Sequence, residues 1–228
     1  LFVVGEYAVI ETGEPAVLVA VNRYLRLKLT ERQDAQPRAT SDHVRAAINT
    51  IDELRVARGL KERQFEIEIK SELDADDGRK FGLGSSAAVT VATVDALAQL
   101  YELNLNQLER FKLALLATIT ISPRASGGDL AASTFGGWIR YTSPDRTALR
   151  DHHAQHGILS ALESDAWSRL SVQSLPAPVN LELLVGWTGS PASTEKLVES
   201  AVSTSTASQD PQHNELFLAE SRACVDMF

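Results

Sequence analysis

Apolar positions recur along this chain with two clear rhythms. Leu25, Leu27 and Leu29 alternate with Arg26 and Lys28, and Phe65, Ile67 and Ile69 alternate with Glu66, Glu68 and Lys70. A period of two places one set of side chains on one face, so each stretch predicts a half-buried strand. Val44, Ala47, Ile48, Ile51, Leu54 and Arg58 are spaced three and four apart and predict a helix ending at Gly59. Residues 87–100 are apolar on nearly every side of a helix, which predicts a buried one. The next helix follows at "LNQLERFKLALLA", with Asn106 as N-cap and Glu109 three residues on. Short apolar runs at 1–4 and 16–21, and "GGWIRYTS", read as further strands.

The remaining stretches are less regular. "SPRASGGDLAAS" reads as a polar, glycine-rich turn, residues 144–170 as partly helical, and "SLPAPVN" as a linker. "LELLVGWTGSPAS" predicts a strand running into a turn. "TEKLVESAV" predicts the start of a helix, "STSTASQDPQHN" a loop, and "ELFLAESRACVDMF" a last helix. Strands and helices mix without strict alternation and without a repeat, which favours an α+β class.

With 228 residues, 44% of them hydrophobic, the chain can build one large domain or two modest ones. A net charge of −8 without a basic run argues against nucleic acid or an anionic membrane as partner. It leaves room for a local basic pocket around an anionic small molecule. The single cysteine, Cys224, excludes an intrachain disulfide and a four-cysteine zinc site, and fits a reducing, cytoplasmic setting. No apolar run approaches the ~20 residues of a membrane span, and the acidic, leader-free start does not read as a signal peptide. His152, His153 and His156 lack a supporting carboxylate or cysteine pattern and read as a solvated face. Trp138, Trp167 and Trp187 read as core or domain-interface packing.

Candidate chemistry lies in four stretches. "KFGLGSSAAV" puts Gly82, Gly84, Ser85 and Ser86 at the mouth of the greasiest helix. The first N–H groups of a helix lack internal partners and sit at the positive end of its dipole, so an anion is their natural occupant. Glycines let the backbone curl around that anion; read alone they serve equally well as a turn. The lysine, Lys80, precedes the glycines, so this is not a Walker A loop. In "SPRASGGDLAAS", Asp129 reads as a helix N-cap or as a carboxylate held at a cleft, and Arg124 as an anion clamp or a surface ion pair. Glu6 and Tyr7 lie in the turn "GEYAV", open to ligand or to packing. "GWTGSPAST" is a small, hydroxylated corner after the predicted strand, equally a loop with a helix N-cap.

"GEYAV", "KFGLGSSAAV", "GDLAAS", "GWTGSPAS" and "FLAESRACVD", in that order and across nearly the whole chain, resemble the GHMP kinase superfamily, in detail its bacterial phosphomevalonate kinases. The resemblance implies an S5 domain 2-like N-terminal domain over 1–175, and the start of a ferredoxin-like C-terminal domain over 176–228, incomplete in this chain. It implies transfer of a phosphoryl group from ATP to (R)-5-phosphomevalonate, with Mg²⁺. By the same resemblance, Gly82, Leu83, Gly84, Ser85, Ser86 and Ala87 cradle the ATP phosphates, with Ser86 on the metal. Asp129 is the catalytic carboxylate; by their charge, Lys80 and Arg124 are the candidates to neutralise the two anionic reactants. Glu6, Tyr7, Arg124, Ser126, Gly127, Thr188 and Ser193 contact the substrate. The family's lysine ahead of "GEYAV" and its last glycine-rich motif are absent, which reads as trimmed ends. Partners are expected to be the small molecules, with a homodimer left open. Mevalonate kinase, another GHMP kinase, or a noncatalytic S5-like binding protein are the competing readings.

Overall fold

A computed structural model describes residues 1–33, 41–75, 77–180, 182–187, 189 and 211–228. The two alternating stretches form the expected hairpin. β3 (Leu25–Glu31) pairs antiparallel with β4 (Phe65–Ser71), from Leu25 opposite Ser71 to Glu31 opposite Phe65. Leu27 faces Ile69 and Leu29 faces Ile67, so one face is apolar and the charged residues take the other. A second, four-stranded antiparallel sheet has the order β1 (Phe2–Val4), β2 (Pro15–Val19), β5 (Trp138–Thr142), β6 (Ser171–Leu175). Every residue of β2 is buried. β6 was not expected, because "SVQSL" has no apolar alternation; its pairing with β5 creates the strand.

Three helices pack into the core: α1 (Asp42–Ala57), α2 (Ser85–Leu100) and α3 (Gln107–Ile121). Ile51, Leu54, Leu97, Phe111, Leu115 and Leu116 are fully or almost fully buried there. Asn106 and Glu109 close the expected capping box, each side chain accepting the other's backbone N–H at 2.9 and 2.7 Å. Asn106→Ala should therefore lower unfolding free energy by about 1 kcal/mol, read from a urea melt.

α2 departs from the expectation of burial all round. Thr93, Val94 and Leu97 are buried, whereas Ala88, Val91, Ala92 and Asp95 line an open cavity. The glycine-rich stretch also differs: its second half is a helix, α4 (Gly128–Phe135), because Leu130, Ala131 and Ala132 bury one face. α5 (Arg146–Leu162) breaks at Gly157, whose φ of 75° is left-handed. Glu53 of α1 fills the break, accepting the Ile158 N–H at 2.9 Å and pairing with the His153 ring at 2.7 Å. The histidines are thus occupied locally: His153 is held between helices, and His152 meets Ser160 at 2.8 Å.

The last helix, α6 (Pro211–Asp226), starts earlier than expected and docks on the four-stranded sheet. Arg222 pairs with buried Glu14 at 2.5 Å, Arg140 with Asp226 at 2.9 Å, and Phe228 stacks on Trp138. Trp167 is buried, its Nε1 donating to the Ala161 carbonyl at 2.7 Å. Of the strand expected at 181–187, residues 182–187 are exposed and belong to no described sheet. The expected helix at 194–202 lies outside the described residues. No described helix is long and apolar enough to cross a membrane.

Candidate active site

The tip of α2 is shaped by backbone freedom. Gly82 and Gly84 have φ of 77° and 78°, a region that side chains disfavour. The helix ladder closes first from Ala88 N–H to the Gly84 carbonyl at 3.0 Å, so the N–H groups of Ser85, Ser86 and Ala87 precede the first rung. A Cβ on Gly82 would meet nothing within 4 Å, so the loop borders open space. A Cβ on Gly84 would sit 3.5 Å from the Asp129 carboxyl. The start of α2 and the first turn of α4 therefore meet, and two helix N-termini converge on one spot.

Asp129 is not the N-cap of its helix. Gly127 takes that position in a left-handed conformation, and Asp129 is the second helical residue. It is half-buried on the wall of a cavity of ≈ 610 Å³, within the size of a small-molecule site. Leu83 and the Ala88–Asp95 face of α2 form one side, Asp129, Ala132 and Ser133 another, and Arg23 and Tyr24 a third. Burial pushes the Asp129 pKa above its ordinary 3.8. Asp95 and Arg110, paired at 2.6 Å, line the same cavity.

The turn before α4 is packed to contact. A Cβ on Gly127 would lie 2.7 Å from the Tyr141 hydroxyl, and one on Gly128 2.7 Å from the Phe2 ring. The Tyr141 hydroxyl donates to the Ser126 carbonyl at 2.8 Å, and Ser126 Oγ accepts from the Gly128 N–H at 3.3 Å. The "GEYAV" turn is fixed in the same way, since a Cβ on Gly5 would strike the Pro15 carbonyl at 2.5 Å. It leaves Glu6 and Tyr7 exposed.

The remaining sequence-predicted residues fall around this centre. Ser86 is exposed and Ser85 half-buried at the α2 tip, with Ala87 buried. Lys80 is exposed, bridged through its backbone to Asp74, and is not on the cavity wall. Arg124 is exposed. Thr188 and Ser193 lie outside the described residues. Next to them, Arg79 donates to the Gly189 carbonyl at 3.0 Å and lies 5.0 Å over the Trp187 ring, which meets Phe81 edge-on. Sequence reasoning missed Tyr141, Arg146 and the Asp95–Arg110 pair, since no local motif marks them.

Comparison with known proteins places this geometry. Residues 42–137 match the GHMP kinases N terminal domain. A phosphomevalonate kinase from Streptomyces sp. is 44% identical over 233 residues, covering 87% of this chain and 62% of that protein. The chain thus spans less than two thirds of that relative. The Lin0012 protein of Listeria innocua superposes with a TM-score of 0.90 at 32% identity, over 99% of this chain and 68% of that one. Streptococcus pneumoniae phosphomevalonate kinase, solved with phosphomevalonate and AMPPNP, superposes with a TM-score of 0.83 at 28% identity, over 99% of this chain and 69% of that one. From its α+β fold, its ordered motifs and these likenesses, the chain belongs to the GHMP kinase superfamily.

Proposed function

We propose that the protein transfers the γ-phosphoryl group of ATP to the phosphate of (R)-5-phosphomevalonate, giving ADP and 5-diphosphomevalonate. The observation that carries this reading is the meeting of the Gly84 tip with Asp129 on the wall of one cavity. Donor phosphates on the N–H groups of Ser85, Ser86 and Ala87 lie against the carboxylate that faces the acceptor. Likeness to the Streptomyces and Streptococcus enzymes supports the choice of acceptor.

Both reactants are highly anionic, so positioning and charge stabilisation dominate such a transfer. The acceptor phosphate has a second pKa of about 6 and is ionised near neutral pH. Asp129 then has little proton to remove, and its work is to orient the reacting groups and help hold Mg²⁺. No group of three or more metal-binding side chains occurs among the described residues. That suits an ion held largely by the phosphates, with one carboxylate and the Ser86 hydroxyl, as Mg²⁺ commonly is. When bound, the ion would supply positive charge against the phosphates. Lys80 and Arg124 are assigned to charge neutralisation at the rim, Glu6, Tyr7, Ser126 and Gly127 to the acceptor side, and Thr188 and Ser193 to the facing corner. We assign 1–175 to the nucleotide-binding domain and 176–228 to the start of a second, ferredoxin-like domain. A cytoplasmic location and a homodimer belong to the same reading.

An ADP-coupled assay of the complete protein against phosphomevalonate, mevalonate and homoserine tests it. Turnover with phosphomevalonate is expected to exceed that with the other two by about a hundredfold or more, because cationic and N–H groups set to meet a phosphate are left unmatched by an acceptor lacking it. Turnover confined to mevalonate or homoserine would refute the assignment.

A further inference from the structure

Arg146 opens α5, far in sequence from either loop of the site. Its Nη1 donates to the carbonyls of Arg124 and Ala125 at 3.0 and 2.8 Å, and its Nη2 donates to the Ile10 carbonyl. Arg124 and Ala125 belong to the turn that delivers Asp129. Ile10 closes the short 3₁₀ turn, Ala8–Ile10, that follows Glu6 and Tyr7. One planar fork therefore holds three acceptors from two segments that lie far apart in the chain.

The arrangement is demanding. The guanidinium is desolvated, burial lowers its pKa, and its Nε is buried without a hydrogen-bond partner. Among the described residues its hydrogen-bond partners are carbonyls rather than a carboxylate. A neutral amide would link two loops without stripping water from a charge. What the guanidinium adds is rigid, coplanar donors that fix several acceptors at once. Tyr141, fully buried, grips the next carbonyl of the same turn, that of Ser126. Displacement of such a platform by an ångström is felt strongly in phosphoryl transfer, where alignment supplies much of the rate.

We propose that Arg146 is a positioning residue of the transfer site. It locks the Asp129 turn to the Glu6–Tyr7 turn, so that the acceptor meets both in fixed register. The proposal rests on the kinase reading above and extends it to a residue outside every motif. It separates acceptor from donor: the α2 tip takes no bond from Arg146, so the nucleotide is held as before.

The test uses Arg146→Lys and Arg146→Gln in the complete protein, assayed well below each variant's melting midpoint. For both, kcat/KM for phosphomevalonate is expected to fall by about a hundredfold, while KM for ATP stays within about twofold. The lysine variant keeps charge and stem, and guards against simple misfolding. Full acceptor kcat/KM in the lysine variant overturns the proposal, since a point charge then suffices. So do unchanged acceptor constants in a variant whose melting midpoint has dropped, the result of a purely structural link. Amide exchange is measured in parallel. Segments 5–11 and 122–128 are expected to exchange faster together in both variants, with α1 and α3 unaltered; unchanged exchange in either segment also overturns it. A wild-type protein inert towards phosphomevalonate removes the kinase reading, and the exchange result then decides the role of Arg146 independently.

Discussion

Asp129→Asn is expected to lower turnover by about a hundredfold or more while leaving ATP affinity largely intact. The substitution keeps shape and polarity but removes the negative charge that faces the acceptor and the metal. Burial holds the proton on Asp129 to a higher pH than an ordinary carboxyl, so the acid limb of kcat/KM should lie above the usual 3.8. The Asp129 contribution to that limb should be lost in the asparagine variant, while the one set by the acceptor phosphate, with its second pKa of about 6, should remain. Stability should move the other way. A carboxyl whose folded-state pKa is raised adds its stabilisation below its unfolded pKa and loses it as pH rises through the folded one. Near neutral pH the charged form is the strained one, so the variant should melt no lower than the wild type. Near-normal turnover would remove Asp129 from its role; a lowered melting midpoint would contradict the electrostatic account.

Gly127→Ala should be among the most damaging single changes available at the site. The new Cβ would stand 2.7 Å from the Tyr141 hydroxyl and 3.0 Å from Leu115 Cδ1, at a φ of 85°. Both neighbours are fully buried. Strain and overpacking together are expected to cost about 3 kcal/mol or more, measured by thermal or urea unfolding. Turnover should fall with it, because Asp129 lies two residues on. Adding Tyr141→Phe removes the contacting oxygen, so the double variant should be less destabilised than the sum of the two singles. A strictly additive result would show that the hydroxyl does not oppose the new methyl group.

Much of the fold was legible because its rhythm is local. The β3–β4 hairpin follows from Leu25–Leu29 and Phe65–Ile69, and the start of α3 from Asn106 and Glu109. β6 was hidden because "SVQSL" is a strand only through its bonds to β5. The start of the helix in "GDLAAS" was misplaced at Asp129, because an acid after two glycines looks like a cap, whereas Gly127 in its left-handed conformation takes that position. At the candidate site, the converging pieces lie in recognisable motifs, and Gly84 against Asp129 is the contact their order implies. The supports are different. Arg146 and Tyr141 act through backbone carbonyls of residues far away in sequence, and backbone acceptors leave no trace in side-chain pattern.

The grip of α6 on the sheet has a consequence for dissecting the chain. Glu14 is only 8% exposed, and its countercharge, Arg222, arrives from beyond residue 175. A fragment severed at that point loses the cation together with the helix that carries it, leaving the Glu14 carboxylate without its countercharge. Residues 1–175 and α6 are thus tied by charge as well as by packing, and a cut between them severs both.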